Sequence, residues 1–339
     1  MPRYFPSPGY DDADTTRAGV LLVNSGTPDS LTPRGVRSFL RGLLGDRRTI
    51  ELPRALWFPI LYGAILPLRP FRVVHKYRKI WTENGSPLLS ISRALSTALS
   101  AELTRRQGTS VPVELGMLYS TPSVNAGLER LREAGAQRIV VLPLFPQYSA
   151  TTTAAVYDQV GSTLRDWRFL PELALLTDYH ADPTYLDALA ASVREHRAPD
   201  SEHLLITFHG IPAKYVAAGD PYERRCRATA RGLVERLGLG PDDWTLSFQS
   251  RVGPQEWLQP YTDETVRALA KRGIRRLSAI CPGFAVDCLE TLEEIAEDYA
   301  GQFRAAGGER LDYVPALNAT PAHVAALASV LARHAWPRA

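Results

Sequence analysis

The chain has 339 residues, of which 45% are hydrophobic and 22% charged, and a formal net charge of +3 at pH 7. This composition is typical of a globular protein long enough for two ordinary domains, and gives no indication of disorder or of a repeat array. Residues 1–18 have no apolar core and no apolar run approaches 18 residues, so neither a signal peptide nor a transmembrane helix is predicted. We expect an extended N-terminal arm over residues 1–18 and a cytoplasmic protein.

Short apolar runs alternate with helical patterns along the chain. Strands are predicted at residues 19–23, 111–117, 138–142, 203–207, 244–248 and 276–280. Helices are predicted at residues 33–44, 90–106, 123–134, 221–237 and 262–272. This alternation is typical of an α/β fold with parallel sheets, right-handed crossovers and helices on both faces.

The two halves of the sequence resemble each other. Leu21 to Pro28 aligns with Leu205 to Pro212, and each segment is an apolar run closed by Gly-x-Pro. We therefore predict two similar Rossmann-like, doubly wound domains, at residues 19–176 and 177–339, with a cleft between their carboxyl edges.

A basic and apolar segment interrupts the first half. Between Arg34 and Lys79 stand eleven basic residues and two acidic ones, and they flank an apolar run over residues 56–68 that contains prolines. Such a segment suits a surface that receives an anionic amphiphile or rests on anionic lipid. We expect residues 54–72 to form one lip of the cleft, with Leu56, Trp57, Ile60 and Leu61 beside Arg54, Arg69 and Arg72. The alternative is a helix packed on the core. No nucleic-acid-binding module is recognised.

His209 ends the apolar run of residues 204–208 and is followed by Gly210. This pattern predicts a buried parallel strand that delivers His209 to the carboxyl edge of the sheet, where ligands bind in open α/β sheets. The alternative is a structural histidine that only makes hydrogen bonds.

Six carboxylates crowd the segment 281–298, which follows another strand and is predicted to be helical. Asp287, Glu290, Glu294 and Asp298 recur at three- and four-residue intervals, so on a helix they would share one face. A solvated acidic face is the alternative. Beside a strand-end histidine, however, these carboxylates predict a metal site or a proton-transfer pair.

Three cysteines, Cys226, Cys281 and Cys288, suit a reducing compartment, and without a C-x-x-C spacing we interpret them as packing residues. The chain has no glycine-rich dinucleotide motif, P-loop, nucleophile elbow or H-E-x-x-H motif. These absences disfavour dinucleotide oxidoreductases, nucleotide-driven enzymes and serine hydrolases.

Over residues 19–320 the chain resembles the ferrochelatase family. The resemblance rests on separated motifs: Leu-Val-Asn-Ser-Gly-Thr-Pro at 22–28, Tyr-Arg-Lys-Ile-Trp at 77–81 with Gly-Ser-Pro at 85–87, Phe-Pro-Gln-Tyr-Ser-Ala-Thr-Thr-Thr at 145–153, His-Gly at 209–210 with Gly-Asp-Pro-Tyr at 219–222, Phe-Gln-Ser-Arg-Val-Gly at 248–253 with Trp-Leu-Gln-Pro-Tyr-Thr-Asp-Glu at 257–264, and Asp-Cys-Leu-Glu-Thr-Leu at 287–292. The family inserts ferrous iron into a porphyrin, the final step of haem synthesis.

The resemblance implies roles for particular residues. His209 and Glu290 match the active-site pair that binds Fe²⁺, and Asp287 and Glu294 match an acidic relay that leads from it. The positions implied to bind the porphyrin are Ser25, Tyr77, Gln249, Arg251, Trp257 and Phe284. Leu118 and Cys288 depart from the Arg and His of the animal enzyme, so the contacts of those side chains cannot be carried over.

The resemblance also implies porphyrin and Fe²⁺ as substrates, no permanently bound cofactor and, because the cysteine-bearing C-terminal extension is missing, no iron–sulfur cluster. Protoporphyrin IX is the expected porphyrin, with peripheral contact at the inner membrane face. Coproporphyrin III, cobalt or nickel insertion into a related tetrapyrrole, a two-lobed binding protein and a haem or metal carrier are the alternatives. The oligomeric state is left open.

Overall fold

The computed structural model describes residue 4 and residues 17–335. The arm predicted over residues 1–18 therefore lies almost entirely outside the described residues. The chain divides into two compact units. The first runs to Phe145 and includes Ala150–Asp178 and the residues from Val324 on, and the second comprises Pro146–Ser149 and Tyr179–His323.

The first unit contains a four-stranded parallel sheet. Its strands are β1 (Ala18–Asn24), β2 (Val113–Met117), β3 (Arg138–Pro143) and β4 (Glu172–Leu175), in the order β2-β1-β3-β4. Every residue of β1 is buried, as expected for a central strand covered on both faces. Leu21 and Val23 of β1 share a core cluster with Leu128 and Val160 from two flanking helices.

Helices of this unit connect and cover the strands. They are α1 (Pro33–Gly45), α2 (Arg54–Ile60), α3 (Leu66–Ile80), α4 (Pro87–Gln107), α5 (Val124–Glu133) and α6 (Thr153–Leu164). A π-helical segment, Leu61–Ile65, joins α2 to α3. Side-chain oxygens of Thr32 and Ser123 accept backbone N–H groups at the starts of α1 and α5, which fixes where those helices begin.

The second unit repeats this sheet. Its strands are β5 (His203–His209), β6 (Trp244–Gln249), β7 (Arg276–Ile280) and β8 (Arg310–Val314), all parallel and in the order β6-β5-β7-β8. Its helices are α7 (Pro183–His196), α8 (Ala213–Ala217), α9 (Tyr222–Leu237), α10 (Thr262–Lys271) and α11 (Ala300–Ala305). A ten-residue π-helix, Glu290–Tyr299, precedes α11, and α12 (Pro321–Ala335) is the last described element.

The predicted fold class is confirmed: both sheets are parallel, helices flank them, and their strand orders match. The edge strands β4 and β8 were not among the predicted strands. Within residues 17–335, no helix has the length and apolarity that crossing a bilayer requires.

The four apolar side chains expected at the lip of residues 54–72 differ in exposure, and the lip itself stays a prediction. Leu56 and Ile60 are exposed, but Trp57 and Leu61 are buried. The Trp57 indole donates a 2.7 Å hydrogen bond from Nε1 to the carbonyl of Leu44 at the end of α1. Trp57 and Leu61 are four residues apart, as are Leu56 and Ile60, and a four-residue spacing keeps side chains on one face of a helix. The first pair therefore anchors the segment to its own unit, while the second pair faces water.

Candidate active site

The candidate site lies at the carboxyl edge of the second sheet. Strand β5 ends at His209 and β6 ends at Gln249, and these two residues face each other in the strand register. Strand β7, on the other side of β5, is followed by the loop that leads to the acidic π-helix Glu290–Tyr299. Parallel strands thus bring residues distant in sequence to one edge.

The two ring nitrogens of His209 have different roles. Its Nδ1 lies 2.7 Å from the carbonyl oxygen of Gly210, so Nδ1 carries the proton and donates it. In the neutral ring Nε2 then keeps its lone pair. The ring is half-buried, and its centroid lies 6.4 Å from that of Trp257 and 6.5 Å from that of Phe284. The strand end therefore carries a base or metal ligand with two aromatic rings nearby.

Gly210 allows the ring of Trp257 to lie close to the end of β5. A Cβ at this position would lie 3.0 Å from the carbonyl oxygen of Gln249 and 3.2 Å from Cε3 of Trp257. The N–H of Gly210 meanwhile donates to that same Gln249 carbonyl at 2.8 Å. Both Cβ distances are shorter than an ordinary van der Waals contact, so a side chain at this position would displace Trp257 or the Gln249 backbone.

Gln249 connects the strand edge to the acidic helix. Its amide nitrogen donates to the backbone carbonyl of Glu290 at 3.0 Å, and its amide oxygen accepts from the Thr207 hydroxyl at 3.4 Å. Gln249 is buried, so these bonds form away from competing water. Among the predicted porphyrin-binding residues, Gln249 positions the start of the acidic helix.

The acidic segment differs from the predicted helix of residues 281–298. The helix starts beside Glu290, and residues 290–299 form i→i+5 hydrogen bonds characteristic of a π-helix, a rare conformation often found at functional sites. Ile295 and Tyr299 pack into the core of the second unit, whereas Glu290 and Glu294 are half-buried. Asp298, expected on the same face, is exposed to solvent.

Glu294 is held between two hydroxyl groups. Ser250 donates from Oγ to Oε2 at 2.5 Å, and Tyr299 donates from its hydroxyl to Oε1 at 2.6 Å. Burial raises the pKa of Glu294, and neighbouring Glu290 adds to the rise, while the two hydroxyl bonds and His209 oppose it. The net effect is a pKa above the ordinary value of a glutamate. A raised pKa favours a carboxyl group that takes up and releases protons.

Asp287 lies outside the acidic helix. It precedes Glu290 by three residues, and its carboxylate accepts hydrogen bonds from Tyr313 at 2.7 Å and from Asn318 at 2.7 Å. The expectation that Asp287 continues one helical face with Glu290 and Glu294 is therefore wrong. Its assignment to an acidic relay stays a prediction.

Of three further predicted porphyrin-binding residues, Ser25 and Tyr77 belong to the first unit and Arg251 to the second. Ser25 follows β1 in the first unit, and the buried ring of Tyr77 packs edge-on against Trp81 at 6.1 Å. Arg251 forms ion pairs with Asp263 at 3.0 Å and with Glu264 at 3.1 Å, and stacks over Tyr261. Their contacts with porphyrin stay predictions.

The two departures from the animal enzyme are packing positions in this chain. Leu118 is half-buried against the core of the first unit. Cys288 is buried, burial raises the pKa of its thiol, and its backbone N–H donates to Thr291. Neither side chain supplies charge near neutral pH.

Three residues at the site were missed by sequence reasoning: Ser250, Tyr299 and Asn318. Tyr299 lies five residues from Glu294, a spacing that meets on a π-helix and not on the predicted α-helix. Ser250 (φ 67°) and Asn318 (φ 52°) adopt the left-handed conformation. Such a backbone for a serine is uncommon and only visible in the structure.

Across the part of the chain that the structure describes, no group of three or more His, Cys, Asp or Glu side chains is arranged to hold a metal ion. The binding of Fe²⁺ by His209 and Glu290 stays a prediction.

Comparison with known proteins first defines the fold. SirB from Bacillus subtilis, solved with Fe³⁺, superposes with a TM-score of 0.54 at 13% sequence identity, and the match covers 93% of this chain and 94% of that one. At this level of identity the comparison establishes the architecture alone, a fold of the chelatase type.

Sequence comparison then gives the family. The ferrochelatase family model matches residues 17–335. A ferrochelatase from Thioalkalivibrio sulfidiphilus is 50% identical over 95% of this chain and 88% of its own length, and one from Aeromonas hydrophila is 50% identical over 94% and 99%. The chain belongs to the ferrochelatase family.

Proposed function

We propose that this protein inserts Fe²⁺ into protoporphyrin IX to form protohaem, the final step of haem synthesis. Family membership supports the reaction class. The observation that carries the proposal for this chain is the His209 imidazole, whose Nδ1 bonds to the Gly210 carbonyl and whose ring lies 6.4 and 6.5 Å, centroid to centroid, from the rings of Trp257 and Phe284.

Metallation requires two pyrrole protons to leave the macrocycle while hydrated iron loses water. The Nε2 lone pair of His209 accepts a proton near neutral pH or binds the metal. Glu290, placed by Gln249, supplies an oxygen ligand for a hard cation. Glu294, with its raised pKa, passes protons onward to solvent.

Ring distortion is the other requirement of the reaction. A flat porphyrin does not aim a nitrogen lone pair at an incoming ion, so a site that binds a bent ring more tightly than a flat one lowers the barrier. Trp257 is fixed by the 2.9 Å hydrogen bond from its Nε1 to the Val252 carbonyl. A fixed indole beside His209 is suited to gripping one ring face.

The preference for protoporphyrin IX is supported by the exposed side of the segment 54–72. Leu56, Ile60, Leu68 and Phe71 are all exposed there, with Leu68 at 70%. Protoporphyrin carries two vinyl groups where coproporphyrin carries additional propionates, so an apolar entry surface favours the less charged ring.

The same surface supports peripheral contact with anionic lipid at the cytoplasmic face of the membrane. Exposed apolar side chains alternate there with Arg54, Arg72 and Lys76, a combination that binds anionic bilayers through burial and charge together. Burial also lowers the pKa of Arg69 in this segment.

Iron is proposed as a substrate that passes through, with no resident cofactor and no iron–sulfur cluster. Cys226, Cys281 and Cys288 are all free and buried, and burial raises the pKa of each thiol, which opposes the thiolate form that binds clusters. Absorption spectra and iron content of the aerobically and anaerobically purified protein test this proposal.

The reaction is tested by anaerobic incubation with Fe²⁺ and each porphyrin in turn, followed by the metalloporphyrin absorption bands. We expect kcat/KM to be higher with protoporphyrin IX than with coproporphyrin III. The reverse order would make the chain a coproporphyrin chelatase, and binding of porphyrin without repeated turnover would make it a carrier.

A further inference from the structure

Both oxygens of the Asp287 carboxylate accept hydrogen bonds from protein donors. Its Oδ1 accepts from the Tyr313 hydroxyl at 2.7 Å, the Thr291 hydroxyl at 2.9 Å and the Ala316 N–H at 3.3 Å. Its Oδ2 accepts from Nδ2 of Asn318 at 2.7 Å. The Ala316 N–H also donates to the Tyr313 hydroxyl oxygen at 3.1 Å, so the Tyr313, Thr291 and Asn318 side chains supply the three shorter bonds to the carboxylate. Asp287 is also only 4% exposed.

Asn318 forms a reciprocal pair with Asp287. While Nδ2 of Asn318 donates to the carboxylate, Oδ1 of Asn318 accepts from the backbone N–H of Asp287 at 2.9 Å. One amide side chain therefore fixes both the backbone and the side chain of Asp287. The directions of these bonds follow from the chemistry of the two side chains. The carboxylate of Asp287 can only accept, whereas the amide of Asn318 donates from Nδ2 and accepts at Oδ1.

The backbone of Asn318 is itself anchored. Its N–H donates to the carbonyl of Ala285 at 3.1 Å, and its carbonyl accepts from Nδ1 of His323 at 2.6 Å. Its φ of 52° lies in the left-handed region, which asparagine tolerates better than most residues. The amide thus projects from a rigid turn after β8.

The pair connects directly to the residue beside Glu290. The Thr291 hydroxyl donates to Asp287 and accepts from the N–H of Cys288 at 3.0 Å, which ties the first turn of the acidic π-helix to the preceding loop. We infer that Asn318 is a positioning residue that, through Asp287 and Thr291, fixes the start of the acidic helix and hence the place of Glu290. The catalytic part of this inference rests on the proposed function.

The competing role for Asp287 is the acidic relay predicted from sequence. A relay needs a carboxyl group at position 287 that takes up and releases protons. Positioning needs only complementary donors and acceptors at positions 287 and 318. An exchange of the two side chains separates these requirements.

The exchange is chemically balanced. In the variant Asp287→Asn with Asn318→Asp, the amide oxygen at 287 still accepts from Tyr313, Thr291 and Ala316, and its NH₂ donates to the new carboxylate at 318. That carboxylate still accepts the backbone N–H of residue 287. Asp287→Asn alone sets two NH₂ groups against each other, and Asn318→Asp alone sets two carboxylates together, so each single variant loses the pair.

We propose to measure kcat, KM for Fe²⁺ and melting temperature for the wild type, both single variants and the exchange variant. Each single variant should lower kcat at least tenfold, and the exchange variant should recover most of that loss and most of the melting temperature. Asn318→Gly, which accepts the left-handed backbone but has no amide, should lower kcat with little change in KM.

Two results would overturn the inference. One is an exchange variant that is unfolded, or folded but as inactive as Asp287→Asn, which would show that the carboxylate is needed at 287. The other is wild-type kcat in Asn318→Gly. If the wild type itself fails to insert iron, the proposed function is wrong. The inference is then decided by the melting temperatures of the single and exchange variants. If the losses of melting temperature in the two single variants simply add in the exchange variant, the two positions are not coupled and the inference is contradicted.

Discussion

For single residues, the chemistry of the site depends on which side-chain atoms already form hydrogen bonds with other protein groups. His209 commits Nδ1 and leaves Nε2, whereas both carboxylate oxygens of Glu294 accept a hydroxyl group. Glu290 has its backbone carbonyl fixed by Gln249, and its side chain interacts with the Cys288 thiol rather than with a pair of hydroxyl groups like the one that holds Glu294. These differences predict different consequences for the two glutamates.

Glu290→Gln should reduce kcat by at least about 100-fold, because it removes the charge of the carboxylate proposed to bind Fe²⁺ together with His209. Glu294→Gln should reduce activity less and act mainly on KM for Fe²⁺, since Glu294 lies one turn farther along the helix. Steady-state kinetics of anaerobic iron insertion measure both values.

The matched control for Glu294 is Tyr299→Phe, which removes one hydroxyl donor and keeps the ring in the core. It should raise KM for Fe²⁺ in the same direction as Glu294→Gln, but by a smaller factor. Equal losses of kcat in Glu290→Gln and Glu294→Gln would show that the carboxylates act as one bulk charge.

His323 predicts a pH dependence of stability. Burial lowers the pKa of this fully buried histidine to about 4, against the opposing effect of its bond to the Asn318 carbonyl. The unfolded chain therefore binds a proton more readily than the folded one as the pH falls below 6.5. The stabilisation is complete above that pH and is lost as the pH falls toward 4, by about 3 kcal/mol in total.

Urea unfolding at several pH values between 7 and 4 tests this dependence against the variant His323→Gln. The variant should be less stable at pH 7, and its free energy of unfolding should fall less steeply with acid than that of the wild type. Parallel curves for the two proteins would contradict the assignment.

At the scale of elements, the segment 54–72 combines an anchored side and an exposed side. Ile60 and Leu68 are 49% and 70% exposed, whereas Trp57 is 8% exposed and bonded to Leu44. Replacing Ile60 and Leu68 together by Ser should leave the melting temperature nearly unchanged, weaken binding to anionic liposomes and raise KM for porphyrin.

Trp57→Ser on the same segment is the matched control. It should destabilise the protein by about 3–5 kcal/mol, because it removes a buried ring and leaves the Leu44 carbonyl without its donor. If the double variant lost as much stability as Trp57→Ser while keeping its KM and liposome binding, the exposed side would be ordinary structure.

Sequence reasoning located β1, β2, β3, β5, β6 and β7 because their signal is local. Continuous apolar runs such as residues 204–208 identify buried parallel strands without knowledge of the rest of the fold. The edge strands β4 and β8 escaped it, since Glu172–Leu175 is four residues long and largely half-exposed, and β8 mixes charged and apolar residues. Their pairing depends on neighbours that a single segment does not specify.

The acidic helix was predicted with the wrong helical period. An α-helical period placed Asp287, Glu290, Glu294 and Asp298 on one face, but the i→i+5 bonding of residues 290–299 changes which side chains meet. Tyr299 reaches Glu294 only through this geometry. The residue types at the site could be predicted from the sequence. Their hydrogen-bond partners could be identified only once the backbone conformation was known.

At the scale of the whole molecule, two sheets with matching strand order carry different side chains at equivalent strand ends. Strand β1 ends in Asn24 before Ser25 and Gly26, where β5 ends in His209 before Gly210. The repeated architecture therefore provides two similar edges, and the chemistry of metal insertion is assigned to the second, where imidazole, carboxylates and aromatic rings meet.

His209 is proposed to perform the chemistry at this edge, and iron insertion by the variant His209→Ala is the decisive measurement. The matched control is His203→Ala at the opposite end of the same strand, where His203 is buried and its Nε2 lies 2.9 Å from the Thr245 hydroxyl. Under anaerobic conditions with Fe²⁺ and protoporphyrin IX, His209→Ala should lose at least about 100-fold in kcat and keep its melting temperature, whereas His203→Ala should lose stability and keep kcat. Near-normal turnover by folded His209→Ala would contradict the account.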